Sequence, residues 1–245
     1  MTTTAPTIDN IWAVVPAAGI GQRMRSTLPK QYLHIAGKAV LQHSLDALLS
    51  VPSVQHAVVA LAESDTHWPQ LPASSDSRVY AVVGGEQRAD SVMAGLKAVV
   101  DRAGVTTWVL VHDAARPLVS SSDIIRLVDQ VAEGQWAGGI LATPLQDTLK
   151  LANDEQTLEI RETIDRRRLW LAQTPQLFRA GELLAAYQVQ RDNPDAQVTD
   201  EASVMELAGY TPVLVEALQA NFKITRDSDV KLAEVLLLDR LPLIE

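Results

Sequence analysis

Two cations, Arg23 and Lys30, stand seven residues apart just after a glycine-containing loop. The stretch reads Ile11-Trp12-Ala13-Val14-Val15-Pro16-Ala17-Ala18-Gly19-Ile20-Gly21-Gln22-Arg23-Met24, then Leu28-Pro29-Lys30-Gln31. A buried strand that runs into small residues exposes backbone N–H groups, and such groups hold phosphates. Fixed cations beside them supply the charge that a departing polyphosphate needs. The loop is not a P-loop, because no Gly-Lys-Ser/Thr follows. It is also a poor dinucleotide fingerprint: Met24 takes the third glycine position, and no acidic residue ends a strand about 20 residues later. Taken alone, Gly-x-Gly is equally an ordinary turn.

The elements around this loop come from hydrophobic periodicity. Ile11–Val15, Gln55–Leu61, Val79–Val83, Trp108–Val111 and Gly138–Ala142 are apolar, β-branched runs that predict buried strands. Between them, Leu41, Leu45, Leu48 and Leu49 share one helical face, closed by Pro52. Val92, Met93, Leu96, Val99 and Val100 share another. Asp123 is the expected N-cap of a helix with Ile124, Ile125, Val128 and Val131 inward. Residues 144–171 break the pattern: they are polar and alternating, with a turn near Asn153-Asp154, and predict a hairpin or arm. Further on, helices are expected over Gly181–Val189, from Val198 with Thr199 and Asp200 as caps, and from about Ser228 to Leu238 capped by Asp227. Thr211–Val215 and Asn221–Thr225 are expected as strands. Strands alternating with helices predict an α/β fold, a Rossmann-like, mostly parallel twisted sheet flanked by helices, with the arm protruding.

In such a sheet, ligands bind beyond the carboxyl ends of the strands. The unusual polar residues lie there: the first loop, Gly84-Gly85-Glu86-Gln87-Arg88, and His112-Asp113-Ala114-Ala115-Arg116-Pro117. Three loops on one rim make one site.

The chain has 245 residues, 47% of them apolar, a net charge of −9 and no cysteine. The charge argues against nucleic-acid partners, whose binding rests on phosphate neutralisation. The missing cysteine excludes disulfides, thiolate metal sites and a cysteine nucleophile. Residues 1–10 read as a disordered lead-in without the basic and apolar regions of a signal peptide. No run approaches the ~20 apolar residues of a membrane span. The expectation is one domain, 11–245, in a cytoplasmic protein without membrane or nucleic-acid partners.

The ordered motifs Pro16–Met24, Pro29-Lys30-Gln31, Gly84–Val92, Val111–Pro117, Thr174-Pro175-Gln176 and Thr199–Ser203 resemble those of the 2-C-methyl-D-erythritol 4-phosphate cytidylyltransferases, whose fold is of the nucleotide-diphospho-sugar transferase type. The chain ends near Glu245, and so resembles the single-function form. The resemblance implies transfer of CMP from CTP to 2-C-methyl-D-erythritol 4-phosphate with loss of pyrophosphate, in the non-mevalonate route to isoprenoid precursors. It implies Mg²⁺ held mainly by the CTP phosphates, with no protein metal ligand. It assigns Arg23 and Lys30 to the transition state. Ala17, Ala18, Gly19, Gly85, Glu86, Arg88 and Ser91 fall to the nucleotide. Asp113, Arg116, Thr148, Arg166, Thr174, Thr199 and Lys223 fall to the sugar phosphate, with Arg166 and Lys223 on its phosphate. Residues 144–171 become an arm that crosses a homodimer to complete the partner's site.

Other readings stand beside these. Asp113 also suits a turn, an N-cap or a Mg²⁺ ligand. His112 suits strand-end packing or hydrogen bonding better than catalysis. His34, His43, His56 and His67 lack metal-ligand spacing. Arg167 and Arg168 suit solvent or an interface. A cytidylyltransferase for another polyol phosphate, such as ribitol 5-phosphate, shares the CTP half of the site. A non-catalytic nucleotide sensor shares the fold, but has no need to retain both Arg23 and Lys30.

Overall fold

The structure, a computed structural model, describes residues 7–19, 28–191 and 198–240. Arg23, with Ile20, Gly21, Gln22 and Met24, lies outside the described residues. The elements in chain order are β1 (Ile11–Pro16), β2 (His34–Ile35), β3 (Lys38–Ala39), α1 (Val40–Leu49), β4 (Val54–Leu61), β5 (Val79–Val83), α2 (Arg88–Ala103), β6 (Trp108–Val111), α3 (Ser121–Glu133) and β7 (Gly138–Pro144). They continue as β8 (Leu149–Ala152), β9 (Ile160–Ile164), β10 (Trp170–Arg179), α4 (Ala180–Arg191), α5 (Glu201–Leu207), β11 (Val213–Glu216) and α6 (Asp227–Asp239).

The seven-stranded sheet has the order β11-β7-β10-β6-β1-β4-β5. Its pairings are parallel except those of β10, which runs antiparallel to both β6 and β7. Side chains alternate across β1. Ile11, Ala13 and Val15 join the core with Leu41, Leu45 and Leu48 of α1 and Ile124, Leu127 and Val131 of α3. Trp12 and Val14 face Val92, Leu96 and Val99 of α2 and Leu183 of α4. Helices thus cover both faces, as continuous apolar strands require. Fully buried residues such as Leu45, Leu96 and Leu110 each contribute about 1.5–3 kcal/mol through burial. Ile8 also packs into the core, at 8% exposure, so part of the lead-in is ordered.

Several local expectations need correction. Ser120 is the N-cap of α3, accepting from the Asp123 N–H. Asp123 instead accepts from the Leu218 and Gln219 N–H groups and pairs with Arg126, tying α3 to the segment after β11. Ile125 is exposed, and Leu127 takes the inward place. Asn221–Thr225 forms no strand; it is held by the Asn221 amide donating to Thr174 O and by Ile224 N–H donating to Ala115 O. Asp227 is the first residue of α6, not its cap. The strand β10 is not announced by periodicity, because Gln173, Thr174, Pro175 and Gln176 interrupt its apolar run at a register shift.

The expected hairpin is present as β8–β9, which among the described residues pair only with each other. Its neighbourhood exposes Leu149, Leu151, Leu158, Ile160 and Leu171.

Candidate active site

Three strand ends bring the loops together. The backbone N–H of His112 donates to Val14 O at 2.9 Å, which extends the β1–β6 ladder and sets Asp113 beside the first loop. Ala17 N–H donates to Ala60 O, and Gly84 N–H to Leu61 O, fixing the exits of β1 and β5. Gln31 is buried, and its amide donates to Ala17 O at 2.8 Å. That bond ties the Pro29-Lys30-Gln31 segment to the loop and carries Lys30 to the rim. The result is a cleft of about 160 Å³ whose lining includes Ala17, Ala18, Gly19 and Lys30 from the first segment, Gly85, Glu86, Arg88 and Ser91 from the turn and α2, and Asp113 and Lys223.

The turn before α2 is tight. A Cβ on Gly84 would lie 2.7 Å from Ser91 Oγ and 2.9 Å from Ala18 Cβ. Ser91 is buried, and its hydroxyl accepts from Gly85 N–H at 3.2 Å. Ser91 therefore shapes the turn that faces the cleft. Gln87 caps α2 in a capping box with Asp90.

Asp113 is the electrostatic centre. Its carboxylate meets Arg88 Nε at 3.0 Å, Lys223 Nζ at 3.0 Å and Arg116 Nε at 3.3 Å. Burial pushes its pKa up, but the three cations outweigh burial and hold the carboxyl far below the usual range. Arg88 then reaches Glu201 through both terminal nitrogens, at 2.7 and 3.0 Å. Glu201 is fully buried and also accepts from Tyr187 OH at 2.8 Å. Burial opposes the charged form of Arg88, but Glu201 and Asp113 reverse that and keep it firmly protonated. Summed over Arg88, Arg116, Lys223, Asp113 and Glu201, three positive and two negative charges leave the cluster at +1. Lys30 lines the same cleft and adds another positive charge to it.

Beneath Asp113 runs a fixed hydrogen-bond chain. Asp113 N–H donates to Thr174 Oγ1 at 3.0 Å. Thr174 Oγ1 and His112 Nδ1 are 3.1 Å apart, and His112 Nε2 lies 3.1 Å from Arg116 O. A carbonyl only accepts, so Nε2 carries the proton and Nδ1 accepts from the threonine hydroxyl. Burial pushes the ring pKa down to about 4. His112 is thus a neutral hydrogen-bonding residue at the strand end.

The remaining expected residues stand apart from the cleft lining. Thr174 is buried under Asp113, and Arg116 lies behind it, donating to Asn221 O at 2.8 Å. Thr199 is exposed, and its N–H donates to Ser203 Oγ. Thr148 and Arg166 are exposed on the arm segment. Arg167 pairs with Asp165 at the surface. Glu201, Tyr187, Gln31 and Gln176 carry structural weight that residue types alone did not assign. For Glu201, Gln31 and Gln176 the signal was their place inside the quoted motifs; Tyr187 had none.

Two larger hollows, of about 610 and 660 Å³, lie near Arg179, Glu182 and Tyr210, at the opposite end of the strands. Neither converges cations as the small cleft does. Among the described residues no helix is long and apolar enough to cross a membrane, and no group of three or more potential metal ligands occurs.

A mostly parallel sheet with a small-residue loop and converging cations at its carboxyl edge defines a nucleotide-handling α/β protein. The chain belongs to the 2-C-methyl-D-erythritol 4-phosphate cytidylyltransferase (IspD) family, whose model matches residues 11–239. A relative of that name from Aliivibrio fischeri is 48% identical over 225 residues, covering 92% of each chain. One from Escherichia coli is 47% identical over 230 residues, covering 94% of each. Among solved structures, a 4-diphosphocytidyl-2C-methyl-D-erythritol synthase superposes with a TM-score of 0.79 at 36% identity, covering 94% of this chain and 99% of that one. The Francisella tularensis cytidylyltransferase gives 0.78 at 35%, covering 93% of this chain and all of that one.

Proposed function

We propose that this chain transfers the cytidylyl group of CTP to 2-C-methyl-D-erythritol 4-phosphate and releases pyrophosphate. The observation that carries this reading is one cleft that gathers cations from separate segments: Lys30 beside the small-residue loop, Arg88 directly after the Gly84–Gln87 turn, and Lys223 on Asp113. Lys30 and Arg88 suit a triphosphate, and Lys223 suits a phosphorylated acceptor. Family membership selects the two substrates.

A phosphate oxygen of the acceptor attacks the α-phosphorus of CTP. A new P–O bond forms as the bond from the α-phosphorus to the bridging oxygen breaks. The electron pair leaves on pyrophosphate. The nucleophile is already an anion, so no base is required. The barrier is the approach of two anions and the charge that grows on the leaving group. Lys30 is assigned to that charge together with Arg23, which lies outside the described residues. Each contributes on the order of 3 kcal/mol, the scale of a single well-placed donor. The turn at Gly84–Gln87 and the loop Ala17–Gly19 hold the nucleotide. Lys223 retains donors beyond the one on Asp113 and takes the acceptor phosphate; Thr174 and Arg116 hold Asp113 in place for it.

Two carboxylates line the cleft, Asp113 and Glu86. Asp113 is saturated by three cations, and one exposed Glu86 does not make a cage. The described side chains therefore do not fit a protein-held Mg²⁺. The ion is assigned to the CTP phosphates, where it screens their charge.

The functional unit we assign is a homodimer of single domains, 11–245, in the cytoplasm, with 144–171 as the arm. Thr148 and Arg166 then serve the partner's cleft. The exposed apolar residues around the hairpin support a covered arm, since an isolated two-stranded hairpin is marginally stable at best. The test is pyrophosphate release with CTP, Mg²⁺ and one acceptor at a time. Release with 2-C-methyl-D-erythritol 4-phosphate is expected. Release only with ribitol 5-phosphate would reject the acceptor, and release with neither would favour a sensor.

A further inference from the structure

Glu201 has no role in the chemistry above, yet it is fully buried at the head of α5 and holds both terminal nitrogens of Arg88. Its surroundings are fixed from several sides. Tyr187 OH donates to it from α4. Gln176 of β10 accepts from Ala202 N–H and donates to Asp200, so the start of α5 is pinned to the sheet. Arg88 in turn is the first residue of α2, directly after the turn that lines the cleft.

An arginine fork has five N–H groups. Asp113 takes the Nε–H, and Glu201 takes one from each terminal nitrogen. The two that remain are fixed in direction by the same bidentate grip, because the guanidinium is planar. Without Glu201 the fork turns more freely, toward Asp113 and toward a bound phosphate.

We propose that Glu201 is a positioning residue: through its bidentate bond it fixes the Arg88 fork, with Tyr187 holding Glu201 in turn, and it cancels the charge that Arg88 would otherwise present to a phosphorylated ligand. The inference deepens the functional reading above and rests on it. Glu201→Gln keeps the shape, removes the charge and sets an NH₂ against the guanidinium. The cluster rises from +1 to +2. A triphosphate then binds more tightly, while the misaligned fork lowers turnover. In an Arg88→Met background Glu201 has no fork left to hold and no arginine charge left to cancel. There, Glu201→Gln changes nothing further.

The experiment is a double-mutant cycle of Glu201→Gln and Arg88→Met, with Tyr187→Phe alongside. It reads kcat by pyrophosphate release, CTP affinity by calorimetry and melting temperature. Glu201→Gln is expected to lower kcat about tenfold or more and to tighten CTP binding about threefold. Neither change appears in the Arg88→Met background. Tyr187→Phe shifts kcat and affinity in the same directions by smaller factors, with a melting temperature lowered by the one lost hydrogen bond. If Glu201→Gln does not fold, Tyr187→Phe decides: an unaltered kcat and CTP affinity overturns the proposal. Equal losses in both backgrounds, or CTP binding that weakens in step with kcat, also overturn it, since both mean a site that has merely loosened. A wild-type chain that binds CTP but releases no pyrophosphate rejects the functional reading, and the affinity cycle still scores Glu201.

Discussion

His112 gives the sharpest quantitative prediction. Its ring is buried, donates to Arg116 O, and accepts from the Thr174 hydroxyl, so a second proton has no place. Burial lowers its pKa from 6.5 to about 4. The unfolded chain therefore takes up this proton first as pH falls. The stability that the neutral ring contributes is complete above pH 6.5 and is lost between 6.5 and about 4. At ~1.4 kcal/mol per pH unit, the loss by about pH 5 is about 2 kcal/mol. Asp113 does not confuse this window. Its carboxyl is held below its ordinary 3.8, so its contribution is lost only at more acid pH. The perturbation is His112→Gln, which keeps a donor near Arg116 O and removes the titration. The assay is urea unfolding of both proteins at about pH 7.5 and about pH 5. The wild type should be the more stable at the higher pH, and the gap should shrink by about 2 kcal/mol at the lower. A gap that is the same at both pH values would refute the assignment of a neutral, doubly bonded ring.

Other consequences follow from the same geometry. Lys30→Ala should lower kcat by about 10²–10³-fold, the scale of one lost electrostatic donor, with the melting temperature unaltered; a loss confined to KM would contradict its transition-state role. Gly84→Ala should destabilise by about 1–3 kcal/mol, because the new Cβ lies 2.7 Å from Ser91 Oγ and 2.9 Å from Ala18 Cβ; an unaltered melt and CTP affinity would show that the turn is not tight. Mixing Lys30→Ala with Arg166→Ala chains should restore part of the activity through mixed dimers, and no recovery despite proven subunit exchange would place Arg166 outside the partner's site.

The sheet was legible because its parallel strands are continuous apolar runs, and so was the rim, because its polar residues fall where those runs stop. The antiparallel β10 was not: Thr174, Pro175 and Gln176 look like motif residues and not like strand, although Gln176 pairs with both Val111 and Ile140. The Asn221–Thr225 segment misled in the other sense. Phe222 and Ile224 suggest a strand, but their burial comes from packing beside α6, with Ile224 N–H bonded to Ala115 O. The individual roles were less legible than the site. The resemblance grouped Arg88 with the nucleotide and Asp113 with the acceptor, whereas the two touch at 3.0 Å. Glu201 reads in sequence as one more acid near a helix cap. Only the fold shows that it faces Arg88 from 113 positions away.

The central claim is that the cleft joins the α-phosphorus of CTP to the phosphate of 2-C-methyl-D-erythritol 4-phosphate. Phosphorus NMR of the wild-type chain with CTP, Mg²⁺ and that acceptor tests it most directly. The account predicts that the acceptor's monophosphate signal gives way to a pair of coupled diphosphate-diester signals as pyrophosphate appears. An acceptor signal that persists while CTP stays intact, or while CTP is only hydrolysed to CMP, would contradict it.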